Sequence, residues 1–267
     1  MIRHLKRTGG NVFLVLVGLF MLVPLLVVVA QGFTRGQQVQ FPPDGFSLHW
    51  LGQALQTPQF TAGLGLSVKI ALGVAIIGGI VGAAAAFAVH WYNFPGKRAL
   101  ETFILSPLSI PAIGLGIALL SIESLLGQVG NIYILLLAHL MIAIAFVLRL
   151  AGVGIAHIDR NAITAAGTLG ARPWTVFWRV TFPQFAGSLA VGCIFAFVVS
   201  FDEIGISLFL AAPGATTFPV ALFTYMEQNY DPLVMAAGTM LLLFSIVPLA
   251  IVSRVVGLAR VLGLDDD

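Results

Sequence analysis

Long apolar runs alternate with short polar stretches along the whole chain. Six runs stand out, at about residues 11–31, 62–90, 101–126, 132–156, 185–211 and 232–257. A helix needs roughly 20 mostly apolar residues to cross the ~30 Å hydrocarbon core of a bilayer, and each run reaches that length. The pattern predicts an all-α, polytopic membrane protein with six transmembrane helices.

The first apolar run also resembles a signal peptide, because the basic residues Arg3, Lys6 and Arg7 precede it. It is longer than the roughly 7–15 apolar residues of a signal peptide, and the QGFTRGQQ that follows lacks a small-residue cleavage site. We therefore predict a first helix that is retained in the membrane.

Composition supports the membrane class, and the basic residues orient the chain. Charged residues make up only 9% of the sequence and mean hydropathy is +1.01, whereas globular domains have about 25% charged residues. Lys and Arg concentrate on the cytoplasmic side, so both termini are predicted to be cytoplasmic. This orientation leaves Arg35 and Lys69 outside, and it places inside Arg3, Lys6, Arg7, Lys97, Arg98, Arg149, Arg160, Arg172, Arg179, Arg254 and Arg260. The net charge of +2 follows from this asymmetry and indicates no nucleic-acid partner.

No polar stretch is long enough to bury a core of its own, so we predict a single transmembrane domain over residues 1–267. Its larger polar parts are an external segment, 32–59, and a cytoplasmic loop, 159–183. Cys193 is the only cysteine, which excludes an internal disulfide. No His, Cys and Asp have metal-ligand spacing, and Ser, His and Asp fall at different membrane depths, so neither a metal site nor an enzyme is expected.

The cytoplasmic loop reads DRNAITAAGTLGARPWTVFWRVTFP and predicts two short helices joined by a tight turn at 170–172. Gly170 is suited to end the first helix, and Pro173 is suited to begin the second, which is expected to run to about residue 181. Pro183 then precedes the fifth span. Either the loop is a docking surface for a soluble partner, or it is an amphipathic hairpin on the membrane surface.

Asp202 and Glu203 interrupt the fifth apolar run. Charged residues at membrane depth cost roughly 2.5–3.5 kcal/mol on insertion scales and usually face a cavity, a partner or a substrate path. Adjacent helical residues point about 100° apart, so one carboxylate is predicted to line a pathway while the other pairs with a neighbouring subunit. The alternative is a structural pair with Lys69, His139 or another internal donor.

Other polar and small residues in the apolar runs leave alternatives open. His139 is either a hydrogen-bonded packing residue or a proton carrier, with packing favoured. Glu123 and Lys69 either reach the headgroups or form part of a gate. Gly78 and Gly82 have the small-xxx-small spacing of close helix contacts, within this subunit or against another.

The spacing of the cytoplasmic loop resembles the EAA loop of permease subunits of ABC importers. The shared pattern is Ala165-Ala166, then Gly170, then Val180-Thr181-Phe182-Pro183 where the family has Ile-x-Leu-Pro. Thr164 departs from the pattern, because the family has Glu there, and Asp159 or Arg160 would have to replace that contact. Further blocks resemble the spermidine/putrescine branch, so that the resemblance covers most of the chain: FPPDGFSLHW (41–50), SPLSIPAIGLGIAL (106–119), AHLMIAIAFVLRL (138–150) and FVVSFDEIGISLFL (197–210).

The resemblance implies the ABC type I importer permease fold, in the inner (plasma) membrane of a bacterium. The implied partners are the lipid bilayer, a second homologous permease subunit, two ATPase subunits inside and a periplasmic solute-binding protein outside. Residues 159–183, hereafter the coupling loop, would contact an ATPase. The implied ATPase-coupling residues are Asp159, Arg160, Thr164, Ala165, Ala166, Gly170, Ala171, Pro173 and Pro183.

Two further groups of residues are candidates for function. Ser200, Asp202 and Glu203 are the predicted substrate-pathway residues. Tyr225, Glu227, Tyr230 and Asp231 form an acidic, aromatic outer patch that is either the landing surface of the binding protein or an ordinary solvated loop. The chain has no G-x-x-x-x-G-K-[ST] phosphate loop, so ATP and Mg are expected on the partner ATPases and no cofactor is expected here.

The cargo implied by the resemblance is a polyamine, spermidine or putrescine. The Asp-Glu pair also belongs to the family pattern beyond polyamine importers, so other cargoes of the same machinery stay open: an opine, an amino-phosphonate, a small amine or an amino-acid derivative. An ATP-independent secondary transporter or channel is the alternative of a different class.

Overall fold

The computed structural model describes residues 2–212, 214–252 and 254, with side chains in the first helix from Phe13 onward. These residues form helices and two isolated bridges, and no β-strand. The α-helices are α1 (Ile2–Gly32), α2 (His49–Gln56), α3 (Pro58–Trp91), α4 (Lys97–Leu105), α5 (Ala112–Leu125), α6 (Ile132–Ala156), α7 (Arg160–Thr168), α8 (Pro173–Val176), α9 (Phe182–Asp202), α10 (Ser207–Leu210), α11 (Phe218–Gln228) and α12 (Pro232–Val252). The predicted all-α class is confirmed.

Some sequence-based expectations fall outside this description. Residues 253 and 255–257 of the sixth predicted run and Arg260 lie outside the described residues, as do the side chains of Arg3, Lys6 and Arg7. The cytoplasmic position of both termini stays a prediction.

Among the described residues, five helices are long and apolar enough to cross a bilayer: Phe13–Gly32, Pro58–Trp91, Ile132–Ala156, Pro173–Asp202 and Pro232–Ile251. The third predicted span, 101–126, is broken instead of straight, because Lys97–Ser109 meets α5 at 103°. Pro107 lies in the 3-10 turn between them, and Pro111 holds the preceding Ile110 in an extended conformation with φ −93° and ψ 131°. Six spans result when this bent pair counts as one.

The larger of two compact units comprises residues 62–220 and 244–267, as far as they are described. Its apolar core contains Val74 of α3, Val147 of α6 and Ala196 of α9. The helices approach closely where α3 carries glycine: a Cβ on Gly82 would lie only 2.6 Å from that of Val147, and one on Gly78 only 3.2 Å from that of Ala143. These two glycines therefore pack inside the subunit.

The second unit comprises residues 1–61 and 221–243, with the same restriction. The external segment folds locally here: Trp50 Nε1 donates a hydrogen bond to Gly36 O at 2.9 Å. The end of α1 meets the start of α12, where Thr239 Oγ1 donates to Val28 O at 3.4 Å. The apolar window of α1 has no buried residue within the described chain, so lipid or another subunit must cover it in a membrane.

Candidate functional site

The first half of the coupling loop has the predicted helix and turn. Asp159 Oδ1 accepts a hydrogen bond from the backbone at the start of α7 (2.8 Å), which satisfies one donor of the first turn. At the other end, Ala171 N donates to Ala166 O (3.1 Å) and Gly170 N donates to Gly167 O (3.0 Å). This Schellman arrangement requires the left-handed conformation that Gly170 adopts at φ +81°.

The sequence had predicted a separate short helix in the second half of the coupling loop. In the structure this segment is instead the start of a longer helix. α8 begins at Pro173 but continues through a π-helical stretch, Phe177–Thr181, into α9. Pro183 does not end the helix. It has no N–H to donate and its ring displaces a carbonyl one turn earlier, and the wider π turn just before it accommodates that displacement. One long helix, Pro173–Asp202, therefore connects the turn with the membrane interior.

The turn between α7 and the long helix protrudes. Leu169 is 88% exposed and Trp174 is 72% exposed, one on each side of the turn. Thr164 and Ala165 are exposed on α7. Because the α7 side chains here are small, a partner surface can approach the α7 backbone closely.

Asp159 and Arg160, the residues suggested to replace the family's Glu, both have partners within the chain. Asp159 caps α7, and the Arg160 guanidinium lies 4.7 Å from the centre of the Trp91 ring, a cation–π distance. Thr164 Oγ1 itself donates to Arg160 O at 2.9 Å. The contact of these residues with an ATPase stays a prediction.

Aromatic rings join the coupling loop to α3. Phe87 stacks on Trp91 with centroids 5.2 Å apart and meets Phe177 edge-on at 6.1 Å. Trp178 lies 5.0 Å from Phe182. Each such pair stabilises by about 0.5–1.5 kcal/mol beyond its buried area. The coupling loop is therefore packed against α3 as well as being continuous with the long helix.

The predicted Asp-Glu pair lies where the helix ends and not within it. The predicted fifth helix, 185–211, is wrong at both ends, because α9 continues from α8 and stops at Asp202. Glu203 is extended (φ −69°, ψ 116°), and its Oε1 accepts from Ile206 N at 2.9 Å. The argument from helical spacing of the two carboxylates therefore does not apply.

His139 bridges α9 and α10 across the non-helical residues 203–206, which we call the polar break. Its Nδ1 lies 2.8 Å from Ser200 Oγ on α9, and its Nε2 lies 3.0 Å from Ser207 Oγ on α10. The ring is 2% exposed, so these bonds replace all hydration of its two nitrogens. The packing role of His139 agrees with the structure. Sequence analysis identified neither serine as a partner of His139, although Ser200 and Ser207 lie seven residues apart on either side of the carboxylates.

Ser200 and Glu203 share a small cleft that does not include Asp202. We call it the carboxylate cleft; it is lined by His139, Ile142, Ala143, Ala196, Val199, Ser200 and Glu203. Asp202 Oδ1 instead accepts from Ser245 Oγ of α12 at 2.7 Å. Neither carboxylate is hydrogen-bonded to His139, whose two nitrogens lie against serines. The structure thus separates the three predicted pathway residues into two environments.

The four outer-patch residues also separate into two kinds. Tyr225 Oη donates to Asp231 Oδ2 at 2.8 Å, and Asp231 Oδ1 accepts from Leu233 N at 3.1 Å. Burial, this hydrogen bond and the charge of Asp231 raise the pKa of Tyr225 to about 12. Glu227 and Tyr230 are exposed, and whether a binding protein contacts them stays a prediction.

Glu123 does not reach the headgroups. It is fully buried, because the turn after α5 folds back so that Gly130 N donates to Glu123 Oε2 at 3.1 Å. Lys69 is exposed on α3, which leaves its headgroup and gate alternatives open. Within the described residues no group of three or more His, Cys, Asp and Glu side chains has the geometry to hold a metal ion.

Comparison with known proteins identifies the family of this arrangement. The family described as "Binding-protein-dependent transport system inner membrane component" matches residues 75–258, which include the coupling loop and the carboxylate cleft. The chain belongs to this family. It is therefore an inner-membrane permease subunit of a binding-protein-dependent importer.

Individual relatives of this importer permease match along most of their length. The putrescine permease PotI of Escherichia coli K12 is 29% identical over 244 residues, covering 88% of this chain and 86% of PotI. The spermidine/putrescine permease PotC of the same strain is 24% identical over 267 residues, 100% of this chain and 99% of PotC. PhnV of Salmonella typhimurium, named for 2-aminoethylphosphonate transport, is 28% identical over 226 residues, 84% of each chain.

A solved structure shares the permease fold. The chain superposes with a TM-score of 0.71 on a chain of a bacterial ABC transporter that imports the polysaccharide alginate, covering 97% of this chain and 96% of that one at 15% identity. At this identity the likeness concerns the fold alone, and it confirms the predicted ABC importer permease fold.

The buried bridge at His139 generates a prediction for stability. His139→Leu leaves Ser200 and Ser207 without a partner, and an unsatisfied buried polar group costs about 1–3 kcal/mol. We expect a lower midpoint of thermal unfolding in mild detergent. Adding Ser200→Ala and Ser207→Ala to His139→Leu removes the orphaned hydroxyls and should restore most of the loss, because deleting all partners together is nearly neutral. A triple variant as unstable as the sum of its parts would contradict the bridge.

Proposed function

We propose that this permease subunit forms half of the pathway of an ATP-driven importer for polyamines such as putrescine and spermidine. ATP and Mg are bound and hydrolysed by two partner ATPases, a second homologous permease supplies the other half, and a periplasmic solute-binding protein delivers the cargo. The chain itself supplies the path and the mechanical connection. The alginate importer has been solved in complex with its periplasmic protein, which supports this type of assembly.

One observation carries the proposal: a single helix runs from the exposed turn of the coupling loop to the polar break in the membrane. The long helix covers 30 residues, about 45 Å at 1.5 Å per residue. A partner bound to Leu169 and Trp174 at one end is therefore connected through one continuous helix to Ser200 and Asp202 at the other. The ring contacts with Phe87 and Trp91 make α3 move with it.

The charge of the carboxylate cleft and the similarity to named relatives support this cargo. The cleft is too narrow to hold a water molecule in this structure, so the support comes from its lining alone. That lining has one carboxylate, two other polar side chains and no Lys or Arg, which favours a cation over an anion. A carboxylate replaces water around an ammonium group as that group loses its hydration. Similarity to PotI and PotC, each named for polyamine transport, supports the same chemical class.

A second cargo is favoured by one specific observation. PhnV, named for 2-aminoethylphosphonate transport, is 28% identical over 84% of this chain. That compound carries a phosphonate beside its amine, and the carboxylate cleft offers no cation to receive it. For this reason we rank it below a polyamine.

Orientation and docking complete the proposal. With both termini cytoplasmic, α7 and the turn at Gly170 face the ATPases, and Glu227 and Tyr230 face the binding protein. The second permease and lipid cover the apolar window of α1, none of whose residues is buried within the described chain. Asp202, held by Ser245, keeps α9 against α12.

The turn at Gly170 gives the test of ATPase coupling. Gly170→Arg should reduce ATP-dependent uptake to background while leaving the chain in the membrane, because it places a bulky charge in the docking surface. Gly96→Arg is the matched control: Gly96 has φ +83° against +81° for Gly170, and a Cβ meets no atom within 4 Å at either position. Backbone strain and added charge are therefore the same. Equal uptake by the two variants would refute docking at Gly170.

The carboxylate cleft gives the test of cargo and of ATP dependence. Proteoliposomes with the complete importer should take up radiolabelled putrescine only with ATP and the binding protein. Glu203→Gln should raise the KM or lower the rate of uptake about tenfold, since a charge-assisted hydrogen bond contributes about 1.5–3 kcal/mol. Asp202→Asn should have a smaller effect, because Asp202 lies outside the cleft. Uptake without ATP would favour a secondary transporter, and 2-aminoethylphosphonate uptake without putrescine uptake would favour the second cargo.

A further inference from the structure

A polar cleft separate from the carboxylate cleft opens at the end of α6 that leads into the coupling loop. It has a volume of about 370 Å³ and lies between the ends of α3 and α6 and the helix α4. Its lining shares no residue with the carboxylate cleft. Four titratable side chains line it among apolar ones: His90, Glu101, Arg149 and His157, with Leu105, Leu148, Gly152, Val153 and Ala156. We call it the inner cleft.

Hydrogen bonds fix how the two imidazoles face this cleft. His90 Nδ1 lies 2.9 Å from Ala86 O, and His157 Nδ1 lies 2.8 Å from Val153 O. A carbonyl oxygen only accepts, so each Nδ1 carries the proton. The Nε2 atom of each ring thereby carries no proton and is left to accept a hydrogen bond from another partner. The His90 ring is also held in place by α6, since a Cβ on Gly152 would lie 2.5 Å from His90 Cε1.

The length of α6 places the inner cleft near one edge of the hydrocarbon core. α6 has 25 residues, about 37 Å at 1.5 Å per residue, which exceeds the ~30 Å hydrocarbon core. Arg149 lies in its final third, and His157 follows its last residue. The cleft therefore spans the zone in which α6 leaves the hydrocarbon.

The lining matches a ligand that carries both a negative and a positive charge. The Arg149 guanidinium suits the oxygens of a phosphodiester. The Glu101 carboxylate and the two Nε2 acceptors suit the three N–H donors of an ammonium group. The leucine and valine side chains suit a glycerol or acyl segment. Basic pockets at the cytoplasmic ends of transmembrane helices bind lipid headgroups, and here the added carboxylate selects for a headgroup with its own cation.

We propose that the inner cleft binds the headgroup of phosphatidylethanolamine, with its phosphate on Arg149 and its ammonium on Glu101 and the two imidazoles. The assignment to the cytoplasmic leaflet rests on the orientation in the proposed function. The bound lipid joins the ends of α3 and α6 beside the start of the coupling loop, because His157 lies two residues before Asp159. It thus stabilises the start of the coupling loop, on which an ATPase would act.

The test measures lipid retention by the full chain purified with its partner subunits in mild detergent. Native mass spectrometry should find phosphatidylethanolamine on the wild-type chain and about tenfold less on Arg149→Gln, the loss expected when a charge-assisted hydrogen bond of about 1.5–3 kcal/mol is removed. Arg179→Gln is the matched control, because Arg179 is exposed on the long helix and lies outside the cleft. It should retain the lipid.

Two further variants distinguish the effect of the charge of the inner cleft on lipid binding from the effect of its shape. Glu101→Gln should bind phosphatidylglycerol as well as phosphatidylethanolamine, because it no longer recognises the ammonium. Gly152→Ala should lower retention with every charge intact, since its Cβ displaces the His90 ring. The thermal midpoint of each variant, measured in parallel, shows whether it is folded.

Equal lipid retention by the wild type, Arg149→Gln and Gly152→Ala would overturn the proposal. Displacement of the lipid by putrescine would also overturn it and assign the inner cleft to the transported amine. Retention is measured without transport, so a failure of the polyamine assignment leaves this result standing, and a failure here leaves that assignment untouched.

Discussion

Helical continuity through Pro183 is the constraint on which the rest of the structure depends. A proline at this position would ordinarily end or kink a helix, which would leave the coupling loop as a separate hairpin attached by a flexible joint. The π turn at Phe177–Thr181 keeps the helix intact from Pro173 to Asp202. One uninterrupted helix therefore joins the exposed turn to the polar break.

The polar break itself is possible because its groups have partners inside the chain. Unpaired polar groups are costly in hydrocarbon, and an end to α9 within the membrane creates several. His139 satisfies two serines across the break, and Glu203 accepts the Ile206 N–H at the start of α10. The same side chains that stabilise the break also line the carboxylate cleft. The residues that stabilise the break are therefore also residues of the proposed pathway, so a substitution in the cleft has to be tested for folding as well as for transport.

What could be predicted from the sequence was set by local chemistry. Gly170 and Pro173 specify a turn through their own backbone preferences, and the structure has it. The length of the apolar runs predicted the spans. It did not predict the bend in the third span, although Pro107 and Pro111 are visible in the sequence, because the continuous hydropathy of that run favoured one straight helix. The end of α9 at Asp202 and the bridge at His139 were missed for another reason. They depend on contacts between residues 61 and 68 positions apart, which no local pattern reports.

The central claim, that the turn after α7 is the ATPase contact of this permease, is tested most directly by photo-crosslinking in the native membrane. A benzoylphenylalanine at Leu169 is compared with one at Leu125, since these leucines are 88% and 87% exposed and lie beyond opposite ends of α6. The account predicts that the Leu169 probe captures an ATPase subunit and the Leu125 probe does not. Capture of an ATPase from Leu125, or of lipid alone from Leu169, would contradict it.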